Sequence, residues 1–523
     1  MLKNSYNRAL ITLIGIAITG CSSSDGVKNS TPVLPQELTL TINDATTYQT
    51  MEHFGASDAW SCQFTGNWPD AKRNAMADLL FSKEKDASGN PLGIGLSIWR
   101  FNVGAGSAEQ GTASGIGDEW RRAESFRNAD GTYNWDKQQG QVWFAQAAKA
   151  RGVEKLLIFP NSPPVSLTRN GKAFASAGTI TSNLASDNFG SYTDYLVSVA
   201  QGLQTKGLTP DYISPMNEPQ WDWNDGGQEG TPFYNNEIAG ITALLNQKIE
   251  NSGISATISL SEAAQINYLY EVGNKPQRAD QIKDFFTAGS ANYVGNLSKV
   301  EPKIAGHSYF TTSPFNTMVN QRQQLASAIR QVSGLRYWMS EYCILGDNAG
   351  EIDGNRRDLG IGSALYLARV IHTDVAVANA TAWHWWLAIS PYDYKDGLIY
   401  IDKQKTDGNY YKSKMLWALG NYSRFIRPGY QRVNMSNSQG DGINQNFLYS
   451  AYKDPATGNL VTVIVNSGAQ PVTFNLKKGS TDLTGLKGYL TSDNSELQFQ
   501  TITDGEPVTV PARSIITLTT GGL

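Results

Sequence analysis

The chain has 523 residues, of which 17% are charged, and its 43 basic and 47 acidic side chains leave a formal net charge of −4. This balance excludes a nucleic-acid binder that depends on phosphate contacts, and an apolar share of 40% excludes a largely disordered chain. At about 150 residues per domain, the length predicts three or four domains. The 13 Trp, 24 Tyr and 18 Phe suit a protein that handles neutral, polar ligands with flat faces, such as sugars.

The first 20 residues have the pattern of a secretion signal. Lys3 and Arg8 precede an apolar run over residues 9–19, which is too short for a membrane-spanning helix of roughly 20 residues. The run ends in Ile-Thr-Gly-Cys21, which resembles a bacterial lipobox and predicts cleavage before Cys21 and lipidation of its thiol. The alternative is an ordinary secretion signal with an incidental cysteine. Residues 21–37 are polar without apolar periodicity and are predicted to be a tether.

Two further cysteines, Cys62 and Cys343, lie far apart in the sequence. The sequence leaves open whether they are paired or free.

Strand-like and helix-like segments alternate between residues 51 and 425. Eight short apolar runs are bounded by Gly, Pro or polar clusters and are predicted to be buried parallel strands. They are Phe54–Trp60, Ile94–Val103, Lys155–Asn161, Tyr212–Asn217, Ala256–Ser261, Lys303–Tyr309, Arg336–Glu341 and Thr381–Leu387. Eight amphipathic segments are predicted to be helices: Asp70–Phe81, Gln138–Arg151, Asn188–Lys206, Asn235–Glu250, Ala279–Thr287, Asn320–Val332, Arg357–Val377 and Tyr411–Phe425. Eight strand–helix units predict an α/β fold, a (β/α)8 TIM barrel over residues 51–425. The alternative is a doubly wound open sheet. The absence of a Gly-x-Gly-x-x-Gly turn after the first strand argues against it.

The C-terminal residues 426–523 have a different pattern, with short Thr- and Val-rich runs separated by Gly, Asn and Asp turns, which predicts an all-β domain. The runs are Asn444–Ser450, Leu460–Asn466, Val472–Leu476, Leu486–Thr491, Leu497–Ile502 and Val508–Thr519. The alternating segment Leu38–Ile42 comes before the barrel, and residues 38–50 are predicted to add a strand to that sheet.

Two glutamates close predicted barrel strands. Glu218 ends the fourth strand in an Asn-Glu-Pro context, and Glu341 ends the seventh after Ser340. Strands four and seven stand on opposite walls of a barrel, and catalytic groups project from the C-terminal strand ends. A single glutamate could be a cap or an ion-pair partner, but two opposed carboxylates are the equipment for glycoside hydrolysis.

Several motifs in chain order carry a resemblance to a known family. They are Phe54–Trp60, Ser97–Gly104, Asn161–Pro164, Ser214–Gln220, His307–Tyr309, Ser340–Glu341, Trp383–Trp385 and Leu419–Gly429. Over nearly the whole chain after the signal, the sequence resembles glycoside hydrolase family 30. The resemblance implies a retaining (β/α)8 barrel with a side β-sandwich built from N- and C-terminal strands.

The resemblance also implies roles for the two acids and their neighbours. Glu218 would be the general acid/base and Glu341 the nucleophile. Arg100 would hold Glu341 anionic, with a structural ion pair as the alternative, and Tyr309 would donate a hydrogen bond to Glu341. Asn217 would contact the 2-hydroxyl of the sugar.

Further residues are expected to contact substrate. Asp58 would accept hydrogen bonds from hydroxyls of the glycone, and Trp383 would form an apolar floor beneath the ring. Trp60 and His307 are expected at the site wall, His307 without a catalytic role. Trp221, together with Trp223, is a candidate for further subsites or for packing.

One departure from the family pattern is visible. The family often has an aromatic residue after the third-strand Ser-Pro-Pro segment, whereas here Val165 and Ser166 follow Pro164. A stacking contact near the reacting sugar is therefore missing or supplied elsewhere.

The substrate is expected to be a β-linked glycan, cut without a cofactor or a metal. The runs 99–104, 217–221 and 228–230 resemble the endo-β-1,6-galactanase branch most, with β-1,6-glucanase and (glucurono)xylanase as alternatives. A metal hydrolase is disfavoured because His53, His307, His372 and His384 show no His-Glu-x-x-His spacing. A non-catalytic glycan-binding lipoprotein would have no need of both glutamates. The expected partners are a polysaccharide and, through a lipid on Cys21, a membrane outside the cytoplasm, with no nucleic acid.

Overall fold

The computed structural model describes residues 38–440 and 442–521. The predicted signal peptide over residues 1–20, the tether over 21–37 and the lipidation site Cys21 lie outside the described residues. Within the described ranges, none of the helices combines the length and the apolar character needed to cross a membrane.

The first strand, β1 (Leu38–Thr50), precedes a barrel of eight parallel strands. The barrel strands are β2 (His53–Ser57), β3 (Ile98–Asn102), β4 (Lys155–Phe159), β5 (Tyr212–Ile213), β6 (Thr257–Ala263), β7 (Val300–His307), β8 (Arg336–Glu341) and β9 (Ala382–Ser390). Each pairs with the next in chain order, and β9 pairs with both β2 and β8, which closes the barrel. The predicted fold class is confirmed.

The described residues contain ten α-helices, of which the sequence predicted eight and did not predict the four-residue helices after the first and second barrel strands. They are α1 (Cys62–Thr65), α2 (Asp70–Phe81), α3 (Ser107–Gln110), α4 (Gln139–Ala150), α5 (Phe189–Thr205), α6 (Asn235–Ser252), α7 (Gln281–Phe286), α8 (Phe315–Arg330), α9 (Ile361–Ala376) and α10 (Lys414–Ser423). Local signals set some of their ends. For example, the Ser413 hydroxyl accepts a hydrogen bond from the Leu416 N–H at the start of α10, and α6 ends at Gly253, whose φ is 76°.

The fourth barrel strand is shorter than predicted. β5 has two residues, because the chain leaves the ladder at Pro215, which has no N–H to donate. Glu218 then adopts φ 45° and donates its backbone N–H to the Glu262 carbonyl at 2.9 Å. This bond to the end of β6 fixes the backbone that carries the Glu218 carboxyl group.

A hairpin that the sequence did not predict extends the barrel sheet. It consists of β10 (Gly397–Ile401) and β11 (Tyr410–Lys412). β10 pairs in parallel with the C-terminal end of β9, with Gly397 opposite Leu387. The segment that joins β9 to β10 is therefore held at the C-terminal mouth of the barrel.

The second sheet is the β-sandwich. Its remaining strands are β12 (Gln431–Asn437), β13 (Phe447–Lys453), β14 (Leu460–Asn466), β15 (Val472–Lys478), β16 (Thr481–Asp482), β17 (Lys487–Ser492), β18 (Ser495–Thr501), β19 (Val508–Val510) and β20 (Ser514–Thr519). β1 lies inside this sheet, antiparallel to β12 and parallel to β15. On the barrel side, the Asn421 amide of α10 donates to the Tyr489 carbonyl and the Thr517 hydroxyl.

The strand β1 covers the predicted residues 38–50, with two register shifts along its pairing with β12. Two other sequence predictions for this sheet are corrected. β12 was not predicted, because its sequence QRVNMSN has only two apolar residues. The predicted strand Val508–Thr519 is two strands, because Pro511 and Arg513, with φ 51°, interrupt it.

The two cysteines of the described residues, Cys62 and Cys343, are both buried and free. This settles the question that the sequence left open.

Candidate active site

A cavity of about 550 Å³ opens at the C-terminal ends of the barrel strands. Both glutamates singled out in the sequence line it, together with aromatic and acidic side chains from several loops. The lining residues are Trp60, Arg121, Asn217, Glu218, Trp221, Asp222, Trp223, Asn224, Asp225, Gln228, Tyr309, Phe310, Glu341, Cys343, Ile344, Leu345, Trp386, Tyr394 and Asp396.

The barrel brings Glu218 and Glu341 together although 122 residues separate them in the chain. One carboxylate oxygen of each, with a ring nitrogen of His307, form a triangle whose sides are no longer than 4.8 Å. Both residues are at least 95% buried. Two carboxyl groups about 5–5.5 Å apart are spaced for a double displacement, whereas inversion needs about 6.5–9.5 Å.

The Glu341 carboxylate is held by two donors. Arg100 Nη1 donates to Oε2 at 3.0 Å, and the Tyr309 hydroxyl donates to Oε1 at 3.1 Å. Arg100 is fully buried, lies over the Phe159 ring and reaches Glu341 from β3. Two donors on one buried carboxylate fix its position, so Arg100 and Tyr309 hold the Glu341 side chain in place at the cavity.

A third glutamate, which the sequence analysis missed, completes the network. Glu262 is fully buried on β6, and Arg100 Nη2 donates to its Oε2 at 3.3 Å. His307 Nε2 lies 3.0 Å from the same oxygen, and His307 Nδ1 lies 2.9 Å from Glu218 Oε1. His307 therefore links Glu218 to the pair formed by Arg100 and Glu262. The signal was present, since Glu262 also closes a barrel strand, but the strand was predicted to end at Ser261.

The network changes the acidity of its members. Burial raises the pKa of Glu218 above its usual 4.5, partly offset by the hydrogen bond to His307. Burial alone would lower the pKa of His307, but Glu341, Glu218 and Glu262 around it outweigh burial and raise it. Burial also opposes ionisation of Glu262, yet Arg100 and His307 hold the pKa of Glu262 below its usual value. Glu218 thus keeps a proton more readily than Glu262 does.

Two tryptophans line the cavity beside Glu218. Trp223 donates its Nε1–H to the Glu218 carbonyl at 3.1 Å, and the Trp221 N–H donates to the same carbonyl. Trp221 also meets the exposed Phe310 ring edge to face, with centroids 6.1 Å apart. Their loop is fastened by Glu229, whose carboxylate accepts from the backbone N–H of Ala105 and from Ser107.

The opposite end of the cavity carries Trp60, which meets Trp386 edge to face with centroids 5.4 Å apart. The expected role of Trp383 is corrected here. Trp383 is fully buried and does not line the cavity, because its Nε1–H donates to Asp374 of α9. A register shift where β9 pairs with β2 interrupts the alternation along β9, and Trp386 instead of Trp383 faces the cavity.

The expected contact of Asp58 with the sugar is also corrected. Asp58 is fully buried and absent from the cavity lining. Its Oδ1 accepts from the Asn102 N–H at 2.7 Å and from the Gln141 amide at 3.3 Å, and burial raises its pKa to about 8. Asp58 therefore joins the ends of β2 and β3. Asn217 lines the cavity as expected, and its Oδ1 has no hydrogen-bond partner among the described residues.

A parallel barrel that brings two buried carboxyl groups together in a cavity walled by aromatic rings defines a glycoside hydrolase. Comparison with protein families identifies the particular family of glycoside hydrolases. Residues 37–400 match the model of O-glycosyl hydrolase family 30, and residues 429–518 match the model of the family's β-sandwich domain. The chain belongs to glycoside hydrolase family 30 and is an O-glycosyl hydrolase, which confirms the predicted family.

Individual relatives differ in what they act on. An endo-β-1,6-galactanase from Hypocrea rufa is 26% identical over 463 residues, which are 85% of each chain. Glucuronoxylanase XynC from Bacillus subtilis is 22% identical over 373 residues, 68% of this chain and 71% of that protein. Among solved structures, a conserved exported protein from Bacteroides fragilis has a TM-score of 0.85 at 31% identity, covering 92% of this chain and 100% of its own.

Proposed function

We propose that the enzyme is a retaining glycoside hydrolase with Glu341 as nucleophile and Glu218 as general acid/base. The observation that carries this proposal is the separation of their carboxylate oxygens, which is no more than 4.8 Å. That distance is shorter than the roughly 6.5–9.5 Å between the carboxyl groups of inverting enzymes and is in keeping with the closer pair of a retaining enzyme.

The proposed reaction has two steps. In the first, Glu341 attacks the anomeric carbon while Glu218 gives its proton to the departing oxygen, leaving a glycosyl ester on Glu341. In the second, Glu218 takes a proton from water, the water oxygen attacks the anomeric carbon, and Glu341 leaves as a carboxylate. Arg100 and Tyr309 stabilise the Glu341 carboxylate before the first step and after the second. Asn217 contacts the sugar bonded to Glu341.

The protonation states agree with these roles. The first step needs Glu218 protonated, and its raised pKa supplies that form at a higher pH than an exposed glutamate would. The second step needs the carboxylate form, to which the His307 hydrogen bond contributes. Burial and the His307 hydrogen bond act in opposite directions on the pKa of Glu218, which keeps both protonation forms accessible.

The proposed substrate is β-1,6-galactan, cut internally. The relative with 85% coverage of both chains is an endo-β-1,6-galactanase. In addition, the cavity lining within the described residues contains five carboxyl groups and one guanidinium, which disfavours a glycan that carries uronic acids. This charge balance ranks a neutral β-1,6-glucan second and glucuronoxylan third.

The proposed location is outside the cytoplasm, with a lipid on Cys21 as the membrane anchor. The lipobox-like sequence supports the anchor, and the similarity to an exported protein supports the location. Expression of the full chain followed by fractionation tests both. The wild-type protein should be found with membranes, and the Cys21→Ser variant should lose that association.

A panel of β-1,6-galactan, β-1,6-glucan, xylan and glucuronoxylan, with products resolved by size, tests the activity. We expect a ladder of short galacto-oligosaccharides from β-1,6-galactan and none with Glu341→Gln. Cleavage of xylan alone would contradict the substrate. Undiminished hydrolysis by Glu341→Gln would contradict the nucleophile.

A further inference from the structure

The cavity has two chemically different ends. Trp221 and Trp223 lie beside Glu218, on the loop that follows β5. At the other end, Trp60 and Trp386 form an aromatic corner that also contains Arg121 and Asp396. Arg121 Nη1 also donates to the Gly227 carbonyl of the loop that carries Trp221, at 3.4 Å. The Arg121 guanidinium lies over the Trp60 ring at 5.2 Å from its centroid.

Asp396 is the unusual member of this corner. Its side chain is 7% exposed and lines the cavity, and its Oδ1 has no hydrogen-bond partner among the described residues. Burial raises its pKa to about 6, so the carboxylate form predominates at neutral pH. Leaving a buried, charged acceptor unpaired costs more than leaving a neutral one unpaired. Oδ1 itself is enclosed by protein atoms, and Ser390 supplies one hydrogen bond to the carboxyl group. A ligand hydroxyl that meets the part of this carboxylate exposed to the cavity would add a hydrogen bond that the described residues do not supply.

The backbone around Asp396 is built to hold it in place. The Asp396 carbonyl accepts the Nε1–H of Trp385 at 2.7 Å, and the next residue, Gly397, begins β10 opposite Leu387 of β9. A Cβ at Gly397 would approach Ser390 Cβ to 2.8 Å, so this position requires glycine for the close strand approach. The carboxyl group therefore projects from a rigid strand end.

The aromatic corner lies on the nucleophile's side of the cavity. The Trp386 N–H donates to the carbonyl of Tyr342, the residue after Glu341, at 2.9 Å, and the Ile344 N–H donates to the carbonyl of Lys395, the residue before Asp396, at 3.3 Å. The sugar that Glu341 attacks is the glycone, whereas the group that Glu218 protonates belongs to the aglycone. The corner with Asp396 therefore corresponds to the glycone, and the loop with Trp221 and Trp223 to the aglycone.

We propose that Asp396, with Arg121 beside it, is the specificity-determining residue of the glycone subsite, accepting hydrogen bonds from hydroxyls of the hexose that becomes bonded to Glu341. This inference rests on the proposed role of Glu341. It gives Asp396 the function that the sequence suggested for Asp58, which the structure buries away from the cavity. A sugar presents apolar ring faces to Trp60 and Trp386 and its hydroxyl edge to the two charged groups, Arg121 as donor and Asp396 as acceptor.

The test pairs a side-chain deletion with deletion of single hydroxyls. The substrates are 2,4-dinitrophenyl β-galactoside and β-glucoside with their 3-, 4- and 6-deoxy analogues, since this leaving group needs little acid catalysis. Asp396→Ala should lower kcat/KM on the better parent glycoside roughly 10- to 150-fold, the range for a hydrogen bond to a charged group. On the one deoxy analogue that lacks the contacted hydroxyl, the same variant should lower kcat/KM less than about threefold.

Two other variants separate recognition from structure. Asp396→Asn keeps the shape of the side chain and should show the same pattern with a smaller loss. Asp393→Asn is the matched control, because Asp393 lies in the same loop, is exposed, and accepts the Arg357 N–H at 2.7 Å outside the cavity. It should leave all rates unchanged.

A uniform loss on every parent and deoxy glycoside by both Asp396 variants would overturn the proposal, as would no loss at all. Absence of hydrolysis of all these activated glycosides by the wild-type enzyme would also overturn it, because glycone recognition would then not suffice for reaction. Failure of the galactan assignment is distinguishable. In that case the polymer panel gives another product ladder, while the selective deoxy pattern persists on the sugar that is accepted.

Discussion

The Nδ1 atom of His307 lies 2.9 Å from Oε1 of Glu218. The other ring nitrogen of His307 contacts Glu262, which in turn accepts from Arg100. Because all of these residues are at least 95% buried, a change of charge on Glu218 directly affects the network around Glu341. His307, a residue of the site wall, therefore affects how readily the proposed acid/base Glu218 holds its proton.

Replacing His307 should move the pH profile upward. The hydrogen bond to His307 favours the Glu218 carboxylate and lowers the pKa of Glu218. His307→Asn weakens that influence while burial and Glu341 still raise the pKa, so Glu218 should keep its proton to higher pH. Since the first step uses protonated Glu218, the alkaline limb of kcat/KM should shift to higher pH, in addition to a lower rate.

The matched control is His372→Asn, a buried histidine of α9 outside the site, which should leave the alkaline limb in place. A limb that stays or moves downward in His307→Asn would contradict the assignment.

Arg100→Lys should damage catalysis more than substrate binding. The guanidinium donates to Glu341 and Glu262 through two separate nitrogens, a fork that an ammonium group cannot reproduce. We expect kcat to fall roughly 100-fold, as for loss of a preorganised donor, with KM changed only a few-fold. Steady-state kinetics measure both.

A second buried pair provides the control for Arg100. Arg322 donates to Asp374 at 2.9 Å outside the catalytic cavity. Arg322→Lys should lower the free energy of unfolding without lowering kcat of the folded enzyme. Equal kcat values for Arg100→Lys and the wild type would contradict the proposed role.

Trp386 and Trp383 should respond differently to substitution. Trp386→Ala removes an apolar face from the cavity and should lower kcat/KM on oligosaccharides roughly 10- to 100-fold, as expected for about 1.5–3 kcal/mol of lost burial. Trp383→Phe loses the hydrogen bond to Asp374 and should lower the free energy of unfolding by about 1–3 kcal/mol. Its KM should stay unchanged. A loss of kcat/KM in Trp383→Phe, with only a loss of stability in Trp386→Ala, would instead support Trp383 as the apolar floor beneath the sugar ring.

These two tryptophans also show how far the sequence alone could go. The two catalytic carboxyl groups were predictable, because Glu218 and Glu341 each end an apolar run and every strand end of a parallel barrel faces the same mouth. Trp386 was not, since its exposure depends on a register shift between β9 and β2 that leaves no trace in the order of residues. Asp58 was misassigned for a related reason, because the Asn102 N–H that captures its carboxylate belongs to the neighbouring strand.

The remaining differences from the sequence predictions concern where strands end and which segments form strands. Glu262 lies in β6, which continues to Ala263, two residues beyond the predicted end at Ser261. β12 carries mostly polar side chains and becomes a strand because β1 and β13 supply backbone partners on both sides. Long-range pairing of this kind is a property of the fold and not of the local sequence.

The described part of the chain should contain two thiols that react only after unfolding. Burial raises the pKa values of Cys62 and Cys343 well above the usual range, and both are free. We therefore expect alkylation of both in denaturant without prior reduction, and little reaction in the native state. Peptide mapping by mass spectrometry measures the extent of alkylation at each of the two cysteines. A requirement for reductant before labelling would reveal a disulfide.

The stereochemistry of the first product tests the central claim most directly. Proton NMR during early hydrolysis of a β-linked galacto-oligosaccharide shows which anomer forms before mutarotation. The close pair Glu218 and Glu341 predicts that the β-anomer appears first, through a glycosyl ester on Glu341. Initial appearance of the α-anomer would contradict the account, because inversion needs a water molecule between the two carboxyl groups.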